Sequence, residues 1–182
     1  MKKIISLFKR DYEGTRLVYD EVVPGAEWVI EGEGIATRKW DGTCTKYENG
    51  TLFKRYDAKK GKNPPAGFIP AQEPDPVTGH WPGWIAVGDG PEDKWFREGL
   101  ANTDNLTNGT YELAGPKVQG NPEHLENHQL IRHGADELEA PRSFDELKAW
   151  IATQDIEGVV WHRDNGDMVK IKKKDFGLKR SK

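Results

Sequence analysis

Short runs in which hydrophobic and polar residues alternate recur along the chain, and most of them end at glycine, proline or Asn-Gly. Two such runs, 43–47 and 51–56, flank Glu48-Asn49-Gly50, and Asn-Gly between alternating runs predicts a β-hairpin. Further strands are predicted within residues 1–10 and over 27–30, 35–40, 109–114, 129–132, 157–162 and 167–172.

Two segments show the spacing of helices instead. Over 144–153 the apolar residues fall on one helical face, and Ser143 and Glu146 fit a capping box at its start. Residues 91–100 predict a second, shorter helix. Because strands outnumber helices and follow one another through tight turns, the pattern predicts an α+β fold of mainly antiparallel sheets with few helices.

The length of 182 residues predicts a single domain spanning 1–182. Residues 60–92 are rich in proline and glycine and predict a loop insertion, with one short strand over 84–87. Loops of this length inside a domain are usually functional or mobile. We expect no C-terminal accessory domain.

The net charge of −3 excludes a strongly basic nucleic-acid-binding protein, but the positive charge is concentrated in two runs. One is 54–62, and the other is 170–182, which holds seven Lys or Arg and one acidic residue. Local patches of this kind favour phosphate ligands.

Cys44 is the only cysteine, which excludes an intrachain disulfide and a thiolate metal cluster. The chain has no apolar run long enough to span a membrane and no signal-peptide pattern at its N-terminus. These features predict a cytoplasmic protein, the cytosol of a phage host included.

The stretch with the most specific chemistry is Lys39-Trp40-Asp41-Gly42. A lysine two residues before Asp-Gly is the arrangement in which an amine attacks the α-phosphate of a nucleotide and forms a phosphoramidate. Such a tetrapeptide occurs by chance in about one chain in twenty of this size, so alone it favours a solvated turn after a strand.

Two further sequence elements that could bind a nucleotide follow Lys39 along the chain. Arg55 lies on the predicted hairpin strand after the lysine, where it is either a ligand of a phosphate or ribose edge or an exposed charge. Tyr111-Glu112 pairs an aromatic ring that would stack on a base with a carboxylate for a ribose hydroxyl or a metal-bound water. Alternation places the two on opposite faces, so a core tyrosine with a surface glutamate is the other interpretation.

Two more elements lie near the C-terminus. Glu157 lies at the start of a predicted strand, directly before Gly158-Val159-Val160. Lys170 and Lys172, two residues apart, point to one face, and a phosphate between them would explain why two like charges are placed together. Protection of an edge strand by lysines is the alternative.

The order of these elements resembles the motif series of the covalent nucleotidyltransferases, which include polynucleotide ligases and mRNA capping enzymes. Several short sequence segments restrict this resemblance to a smaller family: RKWDGT, KRYDAKKGK, PDPVTGHWPGW, GTYELAGPKVQGNP, EGVVWH and MVKIKKKDFGL. These strings resemble the small ATP-dependent RNA ligase family that includes the vertebrate 5′-to-3′ RNA ligase and phage relatives. The resemblance implies a nucleotidyltransferase domain, the ATP-grasp-like adenylation domain of ligases.

The resemblance also implies roles for individual residues. Lys39 is the AMP acceptor, and ATP with Mg²⁺ or Mn²⁺ is expected, the metal being held by Glu157 and Glu112. The nucleotide-binding residues implied are Arg38, Asp41, Gly42, Arg55, Tyr111, Glu112, Lys170 and Lys172. Tyr111 precedes Glu112 directly, whereas many ligases have Gly-Glu after the aromatic residue.

RNA with a 5′-phosphate and a 3′-hydroxyl is the implied partner, and neither a membrane nor an obligate protein partner is expected. Backbone contacts to RNA are assigned to basic residues of the two runs: Lys54, Lys59, Lys60, Lys62, Lys173 and Lys174, with Lys179, Arg180 and Lys182 in the tail. Solubilising charge is the alternative for the tail.

Two alternative functions stay open at this point. One is a nucleotidyltransferase that adenylates itself or a non-RNA acceptor, or that uses GTP. The other is a catalytically idle RNA-binding module, which would bind RNA without carrying a covalent AMP.

Overall fold

The computed structural model of the protein describes residues 1–181, and in this range it has thirteen β-strands, three α-helices and two 3₁₀ helices. The strands are β1 (Ile5–Ser6), β2 (Phe8–Arg10), β3 (Val18–Val22), β4 (Ile35–Lys39), β5 (Thr43–Glu48), β6 (Thr51–Ala58), β7 (Ile69–Pro70), β8 (Trp81–Ala86), β9 (Gly109–Ala114), β10 (Gln129–Arg132), β11 (Glu137–Leu138), β12 (Gly158–His162) and β13 (Met168–Lys172). The helices are α1 (Glu27–Ile30), α2 (Lys94–Ala101) and α3 (Phe144–Ala152), and the 3₁₀ helices are Pro91–Asp93 and Lys173–Phe176.

This is the predicted α+β class, and nearly all of the strand pairs are antiparallel. None of the helices in the described range is long and apolar enough to cross a lipid bilayer.

The described residues divide into two compact units. The first unit contains Met1–Lys3 and Asp41–His133, and the second contains Ile4–Trp40 and the described residues from Gly134 onward. Each unit has its own sheet and its own core. The prediction of a single domain over 1–182 stays a prediction.

The second unit is built on a five-stranded sheet in the order β1-β13-β12-β4-β11, in which only β1 and β13 run parallel. Alternate residues of β12 and β13 point to one face and form the core with α3. These buried residues are Val159, Trp161, Val169, Ile171, Leu147 and Ile151. The opposite face of the same strands is therefore where their polar side chains lie.

The first unit is built on a six-stranded antiparallel sheet in the order β10-β9-β5-β6-β8-β7. The predicted hairpin is confirmed as β5 and β6, and Asn49 and Gly50 have φ angles of 49° and 84° in its turn. Two successive positive φ angles suit a two-residue hairpin turn, which explains the Asn-Gly pair.

Three local predictions differ from the structure. Residues 27–30 form α1 rather than a strand, because Trp28 and Val29 are buried in the core and the Glu31 N–H donates to the Glu27 carbonyl at 3.1 Å. Burial has therefore overridden the strand preference of an apolar and β-branched run.

The predicted capping box is not formed. Ser143 is the N-cap of α3, but its side chain makes no capping hydrogen bond, and both Ser143 and Glu146 are exposed, so water can satisfy the first turn. The strand predicted at 84–87 begins earlier, as β8, and β7 adds a second short strand to the 60–92 segment.

Candidate active site

Lys39, Gly158 and Lys172 form one row across three neighbouring strands of the second unit. Gly158 on β12 is the register partner of Lys39 on β4 and also of Lys172 on β13. Directly opposed residues point to the same face, so the two lysines flank the glycine. Two strand spacings separate their backbones, roughly 10 Å.

Gly158 allows the strands of this row to approach closely. A Cβ at this position would lie 2.2 Å from the Ile171 carbonyl oxygen and 2.9 Å from the Lys172 Cα. Only a residue without a side chain fits there. The glycine after Glu157 therefore has a structural reason in the packing of β12 against β13.

Glu157, immediately before this row, pairs with the candidate nucleophile. Its Oε2 lies 2.8 Å from Lys39 Nζ, and the two side chains are 16% and 21% exposed. Its backbone carbonyl accepts a hydrogen bond from the Lys173 N–H at 2.8 Å. A partly buried ion pair is screened less by solvent than a surface pair, so this contact holds the lysine at the strand end.

Lys172 lies in an unfavourable environment for a positive charge. Burial lowers the pKa of the Lys172 amine from its ordinary value of 10.5, and the charges of Lys174 and Lys39 lower it further. Asp175 and Glu157 oppose this shift without reversing it. An anionic ligand beside Lys172 would remove the penalty, which is the expected property of a phosphate site.

We expect Lys172→Met to raise the free energy of unfolding at pH 7 by about 0.5 kcal/mol while slowing any reaction that uses the lysine. Because the pKa of Lys172 in the folded protein lies below its ordinary value of 10.5, the protonated amine destabilises the fold. The free energy of unfolding is therefore lowest below the folded-state pKa and rises as the pH increases from that pKa to 10.5. Denaturant titrations of the variant and of wild type at pH 7 and pH 10 measure the change in the free energy of unfolding and its dependence on pH. A variant less stable than wild type at pH 7 would contradict this account.

Lys170 lies on the same face of β13 as Lys172, whereas Arg38 lies on the other face of β4 from Lys39, as alternation requires. The Arg38 guanidinium lies 3.7 Å from the centre of the Trp40 ring, and the Trp40 indole N–H donates to Asp136 at 2.7 Å. The structure therefore brings three of the predicted lysines to one face and separates Arg38 from them.

In the first unit, Gly42 packs against the strand that carries Glu112. A Cβ on Gly42 would lie 2.1 Å from the Leu113 carbonyl oxygen and 3.1 Å from Glu112 Cγ. The glycine of the Lys-x-Asp-Gly stretch is thus required by a close backbone contact with β9. Asp41 precedes this contact, and both residues belong to the first unit.

Glu112 has a partner that the sequence did not predict. Its Oε2 lies 2.7 Å from Nε2 of His133, and the His133 Nδ1 lies 2.9 Å from the Thr110 Oγ1. His133 directly follows β10, which pairs with β9. Only the register of these two strands brings the residues together, and no local motif marks the histidine.

Arg55 and Tyr111 differ in what they offer a ligand. The Arg55 guanidinium lies 4.6 Å from the centre of the Trp84 ring, and its Nη1 is buried with no hydrogen-bond partner among residues 1–181. Tyr111 is 4% exposed within the core, and its hydroxyl donates to the Thr107 carbonyl at 2.9 Å. These contacts give Tyr111 a packing role, whereas Arg55 has a buried donor that the described residues do not use.

The predicted RNA-binding lysines fall into two groups. Lys54 forms an ion pair of 2.5 Å with the buried Asp93, and Lys173 is buried and donates to the Gln154 carbonyl at 2.6 Å, so the fold itself uses both ammonium groups. The exposed members are Lys59, Lys60, Lys62, Lys174 and Lys179. Lys182 lies outside the described residues.

The placement of the acidic side chains determines which kind of metal site they could form. Within residues 1–181, no group of three or more His, Cys, Asp or Glu side chains is placed to hold a metal ion. Mg²⁺ commonly keeps several waters and binds one or two carboxylates together with substrate phosphates. Glu157 fits that mode, in which the nucleotide supplies the remaining ligands.

Comparisons with known proteins find similarity to proteins named RNA ligase 1. A family model described as RNA ligase 1 matches residues 99–182, which include Glu112, Glu157, Lys170 and Lys172. RNA ligase 1 of Mus musculus is 24% identical over an alignment that covers 93% of this chain and 75% of the mouse protein.

Two further relatives carry the same name. RNA ligase 1 of Danio rerio is 34% identical over 41% of this chain and 26% of the zebrafish protein. RNA ligase 1 of Pongo abelii is 26% identical over 64% of this chain, and the match spans about half of that protein, 49%. The chain is therefore similar to RNA ligase 1 proteins, at low identity over most of its length and at higher identity over part of it.

Proposed function

We propose that the protein is an ATP-dependent RNA ligase that carries AMP on Lys39 and joins an RNA 5′-phosphate to a 3′-hydroxyl. The observation that carries the proposal is the row of Lys39 and Lys172 with Glu157 at 2.8 Å from the Lys39 amine. A nucleophilic lysine needs a proton acceptor and positive charge for the phosphate that it attacks, and this arrangement offers both.

In the first step, the Lys39 nitrogen attacks the α-phosphorus of ATP. A nitrogen–phosphorus bond forms, the bond to the bridging oxygen breaks, and pyrophosphate leaves. The neutral amine loses one proton as the bond forms, and Glu157, with Oε2 at 2.8 Å from Lys39 Nζ, is proposed to accept it. Mg²⁺ or Mn²⁺ bound through Glu157 and the phosphates would neutralise charge on the nucleotide and on pyrophosphate.

The two lysines of β13 that share a face with Lys39 are proposed to act on the same phosphate. Lys172 and Lys170 would contact the α-phosphate oxygens, where negative charge is transferred during the displacement. The lowered pKa of Lys172 supports this assignment, because the bound phosphate would add negative charge beyond that of Asp175 and Glu157, which do not offset burial and the neighbouring lysines.

The second and third steps transfer the adenylate. An oxygen of the RNA 5′-phosphate attacks the phosphorus of lysyl-AMP, the nitrogen–phosphorus bond breaks, and Lys39 regains a proton. The 3′-hydroxyl then attacks the activated 5′-phosphate, a phosphodiester forms, and AMP leaves. In-line geometry and charge neutralisation are the main requirements of each displacement.

Arg55 and Glu112 are also proposed to bind the nucleotide. Arg55 has a buried guanidinium nitrogen without a hydrogen-bond partner in the described part of the chain, and a nucleotide oxygen would satisfy it. Glu112 has a carboxylate held by His133, which suits a ligand with a hydroxyl donor. Tyr111 is not included, because its ring is buried.

The exposed lysines after β6 are proposed to hold the RNA backbone. Lys59 and Lys62 line a cavity of about 310 Å³ together with Tyr56 and Asn63. Tyr56 is 36% exposed, and its ring meets the Phe68 ring edge to face with 6.0 Å between centroids. An exposed aromatic ring beside two ammonium groups suits a single strand, whose bases stack and whose phosphates pair with lysine.

We expect the double variant Lys59→Ala/Lys62→Ala to bind RNA less tightly and less salt-dependently, with adenylation by ATP unchanged. Loss of two phosphate contacts should reduce the slope of log affinity against log salt by about 1.4 for a single strand. Fluorescence anisotropy with a 5′-phosphorylated RNA at several salt concentrations measures it. The control is Lys9→Ala/Lys148→Ala, which removes equal charge elsewhere, and an equal change in the two variants would reject the assignment.

The function itself is tested by intact mass after incubation with Mg²⁺ and either ATP or GTP. A mass increase of one AMP with ATP, followed by sealing of 5′-phosphorylated RNA, is the expected result. Adenylation without sealing of nicked or single-stranded RNA would favour another acceptor. RNA binding with no covalent nucleotide would favour the idle binding module and refute the ligase.

A further inference from the structure

Asp175 is a buried carboxylate just after β13, and the proposed mechanism does not use it. The residue is 2% exposed, and both of its oxygens accept hydrogen bonds. Oδ1 accepts from Nη2 of Arg10 at 2.5 Å, and Oδ2 accepts from the backbone N–H of Lys172 at 2.7 Å. All three residues belong to the second unit. Asp175 therefore connects an arginine near the N-terminus to the backbone of a lysine in the candidate site.

The backbone at the end of β13 is held by two successive hydrogen bonds. Lys172 is the last residue of β13, and the 3₁₀ helix Lys173–Phe176 follows at once. Asp175 reaches back to the Lys172 N–H, as the third residue of a helix does in a capping box. The Lys173 N–H donates to the Glu157 carbonyl at 2.8 Å. The backbone that carries the Lys172 side chain thus has little freedom to move.

Arg10 fixes the carboxylate from the other side. It lies on β2, where its Nη1 donates to the Arg16 carbonyl at 2.6 Å. A guanidinium is planar, so anchoring one nitrogen in this way also determines where the other points. Because Nη2 is directed at Oδ1, the second oxygen of Asp175 is left facing the Lys172 N–H.

Asp175 also contributes charge to the surroundings of the Lys172 amine. Burial lowers the pKa of Lys172, the charges of Lys174 and Lys39 lower it further, and Asp175 and Glu157 oppose this shift. A lysine that binds a phosphate must keep its proton, so each of these carboxylates supports that role. The charged groups around this amine are Lys39 on β4, Lys170 on β13, Glu157 before β12, and Lys174 and Asp175 in the 3₁₀ helix, together with Arg10, which pairs with Asp175.

The two carboxylates differ in what happens to them during the proposed first step. Glu157 is proposed to accept a proton from Lys39 and so to lose its negative charge. Asp175 is bound to Arg10 and to a backbone N–H, and it has no part in that proton transfer. Its charge therefore stays near Lys172 while negative charge moves across the phosphates.

We propose that Asp175, held by Arg10, is a positioning residue for Lys172 that fixes the backbone at the end of β13 and keeps one negative charge beside the lysine throughout adenylation. Asp175 acts through another residue rather than on the substrate. The inference rests on the proposed function for the use of Lys172 in adenylation, whereas the effect of Asp175 on Lys172 can be measured without any reaction.

Asp175→Asn separates the charge of this residue from its hydrogen bond. The amide oxygen can still accept from the Lys172 N–H, but the negative charge is gone. We expect the pKa of Lys172 to fall further below its wild-type value, because burial and the neighbouring lysines then meet less opposition. NMR titration of the lysine side-chain carbons in metal-free buffer measures it, and the signal of Lys172 is identified by its loss in Lys172→Arg.

The adenylation rate should follow the charge of Lys172. In Asp175→Asn, the rate at pH 10 relative to the rate at pH 7 should be about threefold or more below the wild-type ratio, since less of the amine stays protonated. Asp175→Ala also removes the acceptor of the Lys172 N–H. Its rate should fall on the order of tenfold at pH 7 as well.

Asp93 provides a matched control. It is also 2% exposed, its Oδ1 pairs with Lys54 at 2.5 Å, and its Oδ2 accepts from the Gly88 N–H at 2.7 Å. Asp93→Asn therefore removes an equally buried and ion-paired charge, in the first unit. It should lower the melting temperature but leave the pKa of Lys172 and the rate ratio at their wild-type values. A merely structural Asp175 would give this same result in Asp175→Asn.

A second pair of variants covers the case in which Asp175→Asn does not fold, since that substitution leaves Arg10 without its carboxylate. In Arg10→Gln/Asp175→Asn both side chains are neutral amides that can bond to each other. The pKa of Lys172 in this double variant should lie below that in Arg10→Gln alone. Equal pKa values in the two, or in wild type and Asp175→Asn, would overturn the inference.

The two measurements also distinguish this inference from the proposed function. A wild type that takes up AMP, with the pKa of Lys172 unchanged in Asp175→Asn, would reject the role of Asp175 alone. A lowered pKa of Lys172 in a protein that takes up no AMP would keep the effect of Asp175 on Lys172 and reject the ligase.

Discussion

Lys39→Ala is expected to acquire no AMP when wild type is fully adenylated, a loss on the order of 10⁴-fold or more in rate, because the attacking nitrogen is gone. Lys39→Arg should also fail: it keeps a positive charge for Glu157, but a guanidinium stays protonated and cannot attack phosphorus. Intact mass after incubation with ATP and Mg²⁺ measures both variants.

The control for these variants is a lysine whose ion pair has no place in the proposed chemistry. Lys9 pairs with Glu21 at 2.5 Å on the surface of the same unit, and Lys9→Ala should be adenylated at the wild-type rate. Lys39→Ala leaves Glu157 without its partner, so its circular dichroism and melting temperature are compared with those of Lys39→Arg. An AMP adduct on Lys39→Ala would place the nucleophile elsewhere and refute the proposal.

Gly158→Ala is expected to lower the free energy of unfolding by about 3 kcal/mol and to abolish adenylation. Its Cβ would lie 2.2 Å from the Ile171 carbonyl oxygen, and that atom belongs to the backbone of β13 rather than to a flexible side chain. The strand must shift, and the shift would move Lys172 relative to Lys39. Urea titration and the adenylation assay measure the two effects.

Gly88→Ala is the matched control for this substitution. A Cβ at Gly88 would meet only Asp93 Oδ2, at 3.5 Å, which is an ordinary contact. The variant should fold and react like wild type. If Gly158→Ala were as stable and as active as Gly88→Ala, the close packing of β12 on β13 would not determine the geometry of the lysine row.

Alternation along single strands was readable from the sequence, and it predicted the features that depend on it alone. The hairpin turn at Asn49-Gly50, strand β9 and the common face of Lys170 and Lys172 are in the structure as predicted. Each depends on residues within one or two neighbouring segments.

Features that depend on register between distant segments were not readable in this way. The contact of His133 with Glu112 joins residues 21 positions apart, and the row of Lys39 and Lys172 requires β12 to lie between β4 and β13. Burial also changed individual roles, since the ring of Tyr111 belongs to the core. Residue type alone could not separate the exposed Lys59 from the ion-paired Lys54.

The strand pairing of β4 with β11 shows where along the chain the segment Asp41–His133 is inserted. Thr37 is the register partner of Glu137, and extending this register makes Trp40 the counterpart of Gly134. These are the residues at which the chain leaves the second unit and returns to it. Asp41–His133 is therefore inserted at a position where a short turn would close an ordinary hairpin, and we expect a chain with such a turn in its place to keep β4 and β11 paired.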